Sequence, residues 1–368
     1  MSLQFKLVGT KNMNKKVLVY TILEDDKIYS FNIKDIYDFI IALFEKDLKN
    51  IYLNRFSTLY MTNKNKNLWN NKITKLSSLT GKKSNFAYSV IFKIHKKTNR
   101  IIKTLDYPTI ISNVENLDYK NVNHPIVKIL MKKTKEYDKT ITNTKEMVSY
   151  WMLKANHYIG MKLKDIKGIK LPYRVNKEKN LEKSLIPKDK IKIFKSKLFD
   201  SAFYSNDSFD HQSLNLSYYM HFTSPIRRIV DNVIHYYLTY GIKINLDLDR
   251  INYVEKRTKK FHRTIELKKK IDSLNDEQIM KGYLYKIKKP HIWEIYTEEL
   301  GFVNMELFNK KFEYQFEFIE KDNIYTIKNK YNIFSFEIGK EIEVKIVKTT
   351  NLFPHLSFKI IPTSFILE

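Results

Sequence analysis

The chain has no cysteine among its 368 residues, so disulfides, thiolate metal sites and a thiol nucleophile are all excluded. No stretch approaches the roughly 18 consecutive apolar residues of a membrane span. The opening MSLQFKLVGT lacks the long apolar run of a secretory signal. The expectation is a soluble, non-secreted protein of the cytoplasm or an organelle matrix, with no membrane partner. There is no internal repeat and no long low-complexity linker. HExxH, P-loop and GxGxxG patterns are also missing, so metal hydrolase, NTPase and dinucleotide-binding readings lack their usual marks. Arginine is scarce, eight residues against 58 lysines.

What is present is a globular composition, 43% hydrophobic and 14% aromatic, with 25 Tyr and 23 Phe. The length allows two or three domains with ample core. Sixty-six basic and 40 acidic residues give a net charge of +26, an imbalance that points to a polyanion such as nucleic acid. Abundant Lys, Asn, Ile and Tyr are also what AT-rich coding drift would give, so part of the excess is solvated surface. Its distribution says more. Residues 278–368 hold 13 Lys and 12 acids, which leaves about +25 of the charge on residues 1–277. A nucleic acid is expected to meet the first three quarters.

The first hundred residues read as strands with some helix. Val17 to Leu23, the turn Glu24-Asp25-Asp26-Lys27, and Ile28 to Ile33 form a hairpin pattern. A strand is expected at 86–94 with a turn at 96–99. Residues 124–165 read as helical, with Met147, Trp151, Ala155 and Tyr158 at helical spacing and a stop near Gly168. A short strand follows at 171–175. Ser224 then reads as a helix cap with Pro225 at the first position. Ile226, Ile229, Val230, Val233, Ile234, Tyr237 and Leu238 form an apolar stripe ending before Gly241. A long basic helix follows, with Ile251, Val254, Thr258, Phe261 and Ile265 facing inward. Beyond Gln278 the period returns to two at 283–287, 292–296, 302–305, 342–347 and 356–360, which suggests a small barrel of OB-fold type.

Placed in the first turn of that helix, Arg227 and Arg228 would face an unfavourable macrodipole, so an anion should compensate them. A phosphate held between the helix N-terminus and an arginine fork is one answer, and a brace to neighbouring carboxylates is the other. Asp231 and His235, one turn apart, read as an internal salt-bridge and hydrogen-bond network rather than metal ligands. The acidic cluster at 24–26 reads as a solvated turn. Glu266 either buffers its basic helix or holds an arginine that contacts RNA. Tyr218, Tyr219, His221 and Phe222 offer either stacking faces for bases or core packing.

Residues 202–238, AFYSNDSFDHQSLNLSYYMHFTSPIRRIVDNVIHYYL, resemble the C-terminal hallmark of the RNB family of 3′→5′ exoribonucleases: RNase II, RNase R and the catalytic exonuclease of the exosome. The core HFTSPIRR is followed by Asp231 and His235 at family spacing. Weaker matches lie in family order: Asn32-Ile33-Lys34-Asp35-Ile36, Leu76-Ser77-Ser78-Leu79 with serine for cysteine, 144–155 with Met152, Leu153, Ala155 and Asn156 in place, and Leu171-Pro172-Tyr173-Arg174-Val175. The resemblance implies an α+β fold: an RNB-type catalytic domain with a mixed sheet core and surrounding helices over 1–277, then a C-terminal OB-fold-like β-barrel over 278–368. The two N-terminal cold-shock-type OB domains usual in bacterial relatives have no counterpart in this sequence.

The departures carry as much information. The family's T-I-D and D-x-D-D aspartates, which hold catalytic Mg²⁺, fall in this register at Lys6, Asn12, Asn14 and Lys15. Asn is a neutral ligand and Lys a repelling cation, so a two-metal centre is not expected to assemble. The four positions now sum to about +2 and would still attract phosphate without metal. The resemblance gives Arg227 a phosphate contact near the scissile bond, and implies phosphate or RNA contacts for Ser224, Arg228, His221, Tyr218, Tyr173 and Glu266. The leading expectation is therefore a catalytically inactive RNB protein without cofactor. It would bind single-stranded RNA in a basic channel, together with protein partners of an RNA-processing or degradation assembly. One alternative is an active Mg²⁺-dependent 3′→5′ exoribonuclease; the other is a partner-docking subunit that has lost RNA binding.

Overall fold

A computed structural model of the chain describes residues 3–7, 56–61, 65–79, 85–95, 97–111, 117–166, 170–179, 194, 197–289, 291–306, 317–321, 324–328, 333–348 and 358–362. The hairpin at 17–33, the match at 32–36 and positions Asn12, Asn14 and Lys15 lie outside these residues. Two compact units result: Met1–Lys177 with Ser201–Thr258, and Glu178–Asp200 with Lys259–Glu368.

In the first unit, β1 (Leu3–Leu7), β2 (Asn85–Ile94) and β3 (Ile101–Ile111) form an antiparallel sheet in that order, with Lys6 opposite Ile91. The β2–β3 turn passes through Asn99 at φ 54°, a left-handed conformation that Asn tolerates, and its N–H donates to the His95 carbonyl at 2.9 Å. α1 (Asn71–Leu76) is capped by Asn70, whose side chain accepts from Ile73 N.

The helical run expected over 124–165 is two helices, α2 (Pro125–Tyr137) and α3 (Thr144–Leu163). Asp138 breaks it: its carboxylate accepts from the Thr140 N–H (2.9 Å) and hydroxyl (2.6 Å), an Asx turn that competes with helix continuation. Asn143 then caps α3 by accepting from Glu146 N, while Glu146 reaches back to Thr142 N. α3 ends at Leu163, short of the expected stop. Met147, Trp151, Ala155 and Ile159 bury against Val90, Phe92 and Ile94 of the sheet.

Short strands follow: β4 (Tyr173–Val175) pairs with β5 (Phe203–Ser205), and β6 (Asp210–His211) with β7 (Leu216–Ser217). α4 (Ile229–Tyr240) ends at Gly241, φ 71°, whose N–H donates to Tyr237 O. One side of α4 joins the main core through Ile234 and Tyr237. The other joins a second cluster through Ile229 and Val230, with Phe56, Leu68, Trp69, Ile73, Tyr204 and Ile251.

The start of α4 corrects the sequence expectation. Ser224 does not cap it and Pro225 is not its first residue; the helix begins at Ile229, and Arg228 precedes it in extended conformation (φ −139°, ψ 132°). The reason is a competing pairing with residues 56–58. Ser57 and Arg228 form a β-bridge, Thr58 N donates to Arg227 O (3.0 Å) and Ile229 N donates to Phe56 O (3.0 Å). Arg227 and Arg228 therefore lie outside the first turn, where Asp231 sits instead.

α5 (Leu248–Asp272) buries Ile251 and half-buries Val254, Thr258, Phe261 and Ile265, with Lys256, Arg257, Lys260 and Arg263 exposed on its opposite side. Contacts place its residues from Lys259 onward in the second unit. Glu277 adopts φ 57°, two residues before β8 begins at Ile279.

The second unit holds β8 (Ile279–Lys289), β9 (Ile292–Thr297), β10 (Gly301–Glu306), β14 (Glu341–Lys348) and β15 (Phe358–Pro362) in the order β10-β9-β8-β14-β15. Strands β10 and β15, at its two ends, also lie against one another. These five match the expected strands. A further antiparallel sheet, β11 (Glu317–Lys321), β12 (Ile324–Lys328) and β13 (Ile333–Glu337), was not anticipated. Its exposed face carries Ile319, Ile324 and Ile333, which blurs the apolar/polar alternation. Trp293, fully buried, meets Phe336 edge-on at 4.6 Å and joins the two sheets in one core.

Candidate nucleic-acid interface

The segment before α4 is fixed from both sides by buried polar side chains. From α3, Asn156 accepts at Oδ1 from Phe222 N (2.9 Å) and Thr223 N (3.1 Å) and donates from Nδ2 to the Tyr219 hydroxyl (2.9 Å). From α4, His235 Nε2–H donates to Phe222 O (2.9 Å), and its ring stacks on Phe222 with centroids 4.3 Å apart. Burial pushes His235 down to about 4, against smaller opposing effects from Phe222 O and Asp231. α3 approaches closely because position 160 is glycine: a Cβ there would stand 1.7 Å from the Tyr218 carbonyl oxygen.

Asp231 accepts from Ser224 N at 2.7 Å and from the Arg228 Nη2 at 2.9 Å, and its other oxygen pairs electrostatically with Arg228 Nε at 2.7 Å. Burial disfavours the Arg228 cation, and Asp231 chiefly reverses this, so its pKa lies above the ordinary value. Arg228 is thus engaged as a brace. Arg174 is similarly neutralised, by Glu255 at 2.6 Å, with its guanidinium 4.5 Å from the Tyr204 ring centroid. Asn252 clamps Tyr204 through its backbone N (2.7 Å) and O (2.8 Å).

Arg227 is different. Among the described residues it has no carboxylate partner, and its Nε is buried without a hydrogen-bond partner. Burial and then the adjacent Arg228 charge push its guanidinium below the ordinary arginine value, partly offset by Tyr60 and Asp231. The Ser224 hydroxyl is likewise buried and unpaired among the described residues. Ser224 O accepts from both Arg227 N and Arg228 N at 3.1 Å, so hydroxyl and guanidinium belong to one tight turn. The guanidinium is half-buried and hydrogen-bonded to Tyr60, but its buried Nε and the Ser224 hydroxyl lack partners, an arrangement that suits an incoming anion.

The remaining predicted residues are dispersed around this turn or away from it. His221 Nδ1 contacts the Tyr204 hydroxyl at 2.7 Å, and its half-buried ring meets Tyr204 and Tyr219 edge-on. Tyr218 is held at φ 56° and stacks on Phe209 at 5.1 Å, with Lys164 above it at 5.7 Å. Tyr173 is buried beneath that pair, edge-on to both rings, and burial first pushes its hydroxyl up to about 12. Glu266 is exposed on α5, in the stretch grouped with the second unit. Asn156, Gly160 and Glu255 shape the site without having been singled out for it; only Asn156 left a trace, as the last residue of a motif match.

Among the described residues no group of three or more His, Asp or Glu could hold a metal ion. The described residues also include no helix long and apolar enough to cross a membrane.

A family model of the RNB domain matches residues 127–243, which include most of α2 and all of α3, the turn and α4. Ribonuclease R of Chlamydia muridarum is 28% identical over 137 residues, covering 28% of this chain and 20% of that protein. RNase R of Mycoplasma genitalium, in complex with ribose-methylated single-stranded RNA, superposes with a TM-score of 0.63 at 16% identity, covering 88% of this chain and 65% of that one. Yeast Ssd1, a pseudonuclease, gives 0.60 at 12% identity over 87% of this chain and 62% of Ssd1. The Dss1 exoribonuclease of Candida glabrata gives 0.62 at 14%, over 98% of this chain and 54% of Dss1. The sequence match thus spans one fifth of the length of the Chlamydia relative. The fold is that of the RNase R-type structures, and residues 127–243 match the RNB domain.

Proposed function

We propose that this chain binds single-stranded RNA at the Ser224–Arg228 turn and does not cleave it, as an inactive RNB protein working with protein partners inside the cell. The observation that carries the reading is the buried, unpartnered Arg227 Nε beside the unpartnered Ser224 hydroxyl. Arg228 and Asp231 hold the turn, and the loss of charge-compensating carboxylates at Lys6, Asn12, Asn14 and Lys15 removes the metal site while keeping positive potential. His221, Tyr218 and Tyr173 belong to the aromatic surroundings of the same unit, with Tyr218 the better placed to stack a base. Residues 278–368 are assigned to an OB-type barrel and 1–277 to the RNB-type domain. The likeness to an RNase R seen with single-stranded RNA and to a pseudonuclease supports both halves of the proposal.

The test is a 5′-labelled single-stranded RNA mixed with the full chain in Mg²⁺, Mn²⁺ or EDTA, followed by gel shift and product length. A salt-sensitive shift with intact RNA under all three conditions, weakened at least about tenfold by Arg227→Ala, is expected. Metal-dependent shortening that EDTA abolishes would establish the exonuclease instead. No shift at low salt would leave the docking-scaffold reading.

A further inference from the structure

The sheet β11–β13 has one side in the core of its unit and the other in solvent. Ile327 and Phe336 point inward, with Phe336 against Trp293. Side chains alternate along a strand and cross-strand partners share a side, so Ile324, Thr326 and Lys328 of β12 point out together with the residues opposite them. Ile319 lies opposite Thr326 and diagonal to Ile324, while Ile333 lies opposite Lys328. Their exposures are 41% for Ile319, 42% for Ile324 and 71% for Ile333. Coding drift scatters isoleucines singly over a surface, whereas these three stand in register on one small face.

The charges on this face cancel. Lys328 Nζ is 3.0 Å from Glu317 Oε2, and Lys340, in the turn after β13, has its Nζ 3.7 Å from Glu337 Oε2. Between them the Thr326 and Ser335 hydroxyls hydrogen-bond at 3.2 Å. A neutral apolar patch is informative on a chain of net charge +26. Among the described side chains it presents no ring to stack a base, and its lysine is already paired, so the face is unsuited to RNA. Two copies of so cationic a chain repel and can meet only where the local charge is balanced. The order of the residues fits such a meeting. Ile324 stands opposite Glu337 at one end of the sheet, and Lys328 opposite Ile333 at the other. A two-fold axis crossing the strands at Thr326 lays one end on the other. Ile324 then comes beside Ile333 of the second copy and Glu337 beside its Lys328, each pair occurring twice as an isologous contact requires.

We propose that two copies of this chain associate through the outward face of β11–β13, with the isoleucines at the centre and reciprocal Glu337–Lys328 pairs beside them. Three strands of five residues cover roughly 16 by 14 Å. That is well below the area of a standard interface, so the association is weak, with a dissociation constant on the order of 100 µM. The inference shares neither site nor partner with the proposed function, and the two stand or fall separately.

The test is sedimentation equilibrium of the full chain, freed of nucleic acid by nuclease, from about 5 to about 500 µM in about 0.15 M salt. The weight-average mass is expected to rise from one copy toward two and no further. A chain that stays monomeric throughout, or that climbs past two copies, overturns the proposal. Ile324→Ser combined with Ile333→Ser should weaken association at least about tenfold, and an unchanged constant would put the dimer elsewhere and overturn it too. Glu337→Lys and Lys328→Glu chains should each associate more weakly than the parent, because like charges then face each other. An equimolar mixture of the two should recover the parent constant, since the mixed dimer restores both pairs with their signs exchanged. A mixture no tighter than its components removes the two-fold contact and the proposal with it. Emission from Trp293, which packs on Phe336 of β13, reports that the sheet is still seated in each variant. Where the double serine chain loses that signal, the exchanged charges decide.

Discussion

Asp231 is fully buried, and each of its contacts fixes a different piece of the turn: one oxygen takes Ser224 N and Arg228 Nη2, the other faces Arg228 Nε. An asparagine there keeps an acceptor for Ser224 but leaves the Arg228 cation uncompensated and largely buried. Breaking a buried pair from one side costs about 3–5 kcal/mol. Asp231→Asn is therefore expected to destabilise the chain by that amount in urea unfolding at neutral pH, and a loss under about 1 kcal/mol would show that Arg228 finds water or another acceptor. The Arg228–Asp231 spacing was legible in the sequence as one of two alternatives, phosphate fork or carboxylate brace. Which arginine does which was not, because the answer depends on Asp231 lying on the inner side of α4. Asn156 was less legible still: its acceptor partners are 66 and 67 residues further along the chain. Nothing in local spacing connects them.

At the scale of elements, α4 shows how a sound local reading is overridden. Ser224-Pro225 before an apolar stripe is a good helix start, but the backbone of residues 227–229 pairs with residues 56–58 instead. Residues 170 positions away supply that partner, so no cap rule could register it. The stripe itself was read correctly from Ile229 onward, as was the division of α5 into a buried and a basic side. Docking of α4 against the segment before it rests on neutral His235, between Phe222 on one face and Tyr88 edge-on at 6.0 Å, with the Asp231 charge acting on it. Its folded pKa of about 4 lies below the ordinary value near 6.5, so the unfolded chain takes up a proton first as pH falls. Stability from this group is complete above about pH 6.5 and is lost progressively down to pH 4. About 2 kcal/mol should disappear between pH 7 and pH 5, measured as the difference in urea unfolding free energy. His235→Gln retains an N–H for Phe222 O and should flatten that part of the profile; an unchanged slope in the variant would assign the pH dependence to other groups.

For the whole molecule, charge is the property that sequence conveys most fully and structure then apportions. The second unit holds 26 basic and 20 acidic residues, which leaves 40 and 20 of the chain's 66 and 40 for the first. The net positive charge is thus concentrated in the unit that contains the turn. Charge density by itself does not distinguish a phosphate contact from general attraction, because 58 of the 66 basic residues are lysines and coding drift can multiply lysines without a ligand. Salt dependence does distinguish them. For a single strand, each neutralised phosphate contributes a slope of about −0.7 to the logarithm of affinity against the logarithm of salt. Arg227→Ala should make the slope less steep by about 0.7, one phosphate, in gel-shift titrations from 50 to about 300 mM salt. An exposed lysine of α5 such as Lys260, replaced by alanine as a control, contributes only to the diffuse field and should change the slope by much less. If Arg227→Ala lowers affinity without changing the slope, the guanidinium shapes the turn rather than touching a phosphate. A slope change of one phosphate with unaltered unfolding free energy means that Arg227, its buried Nε without a partner, is held for an anion that comes from outside the chain.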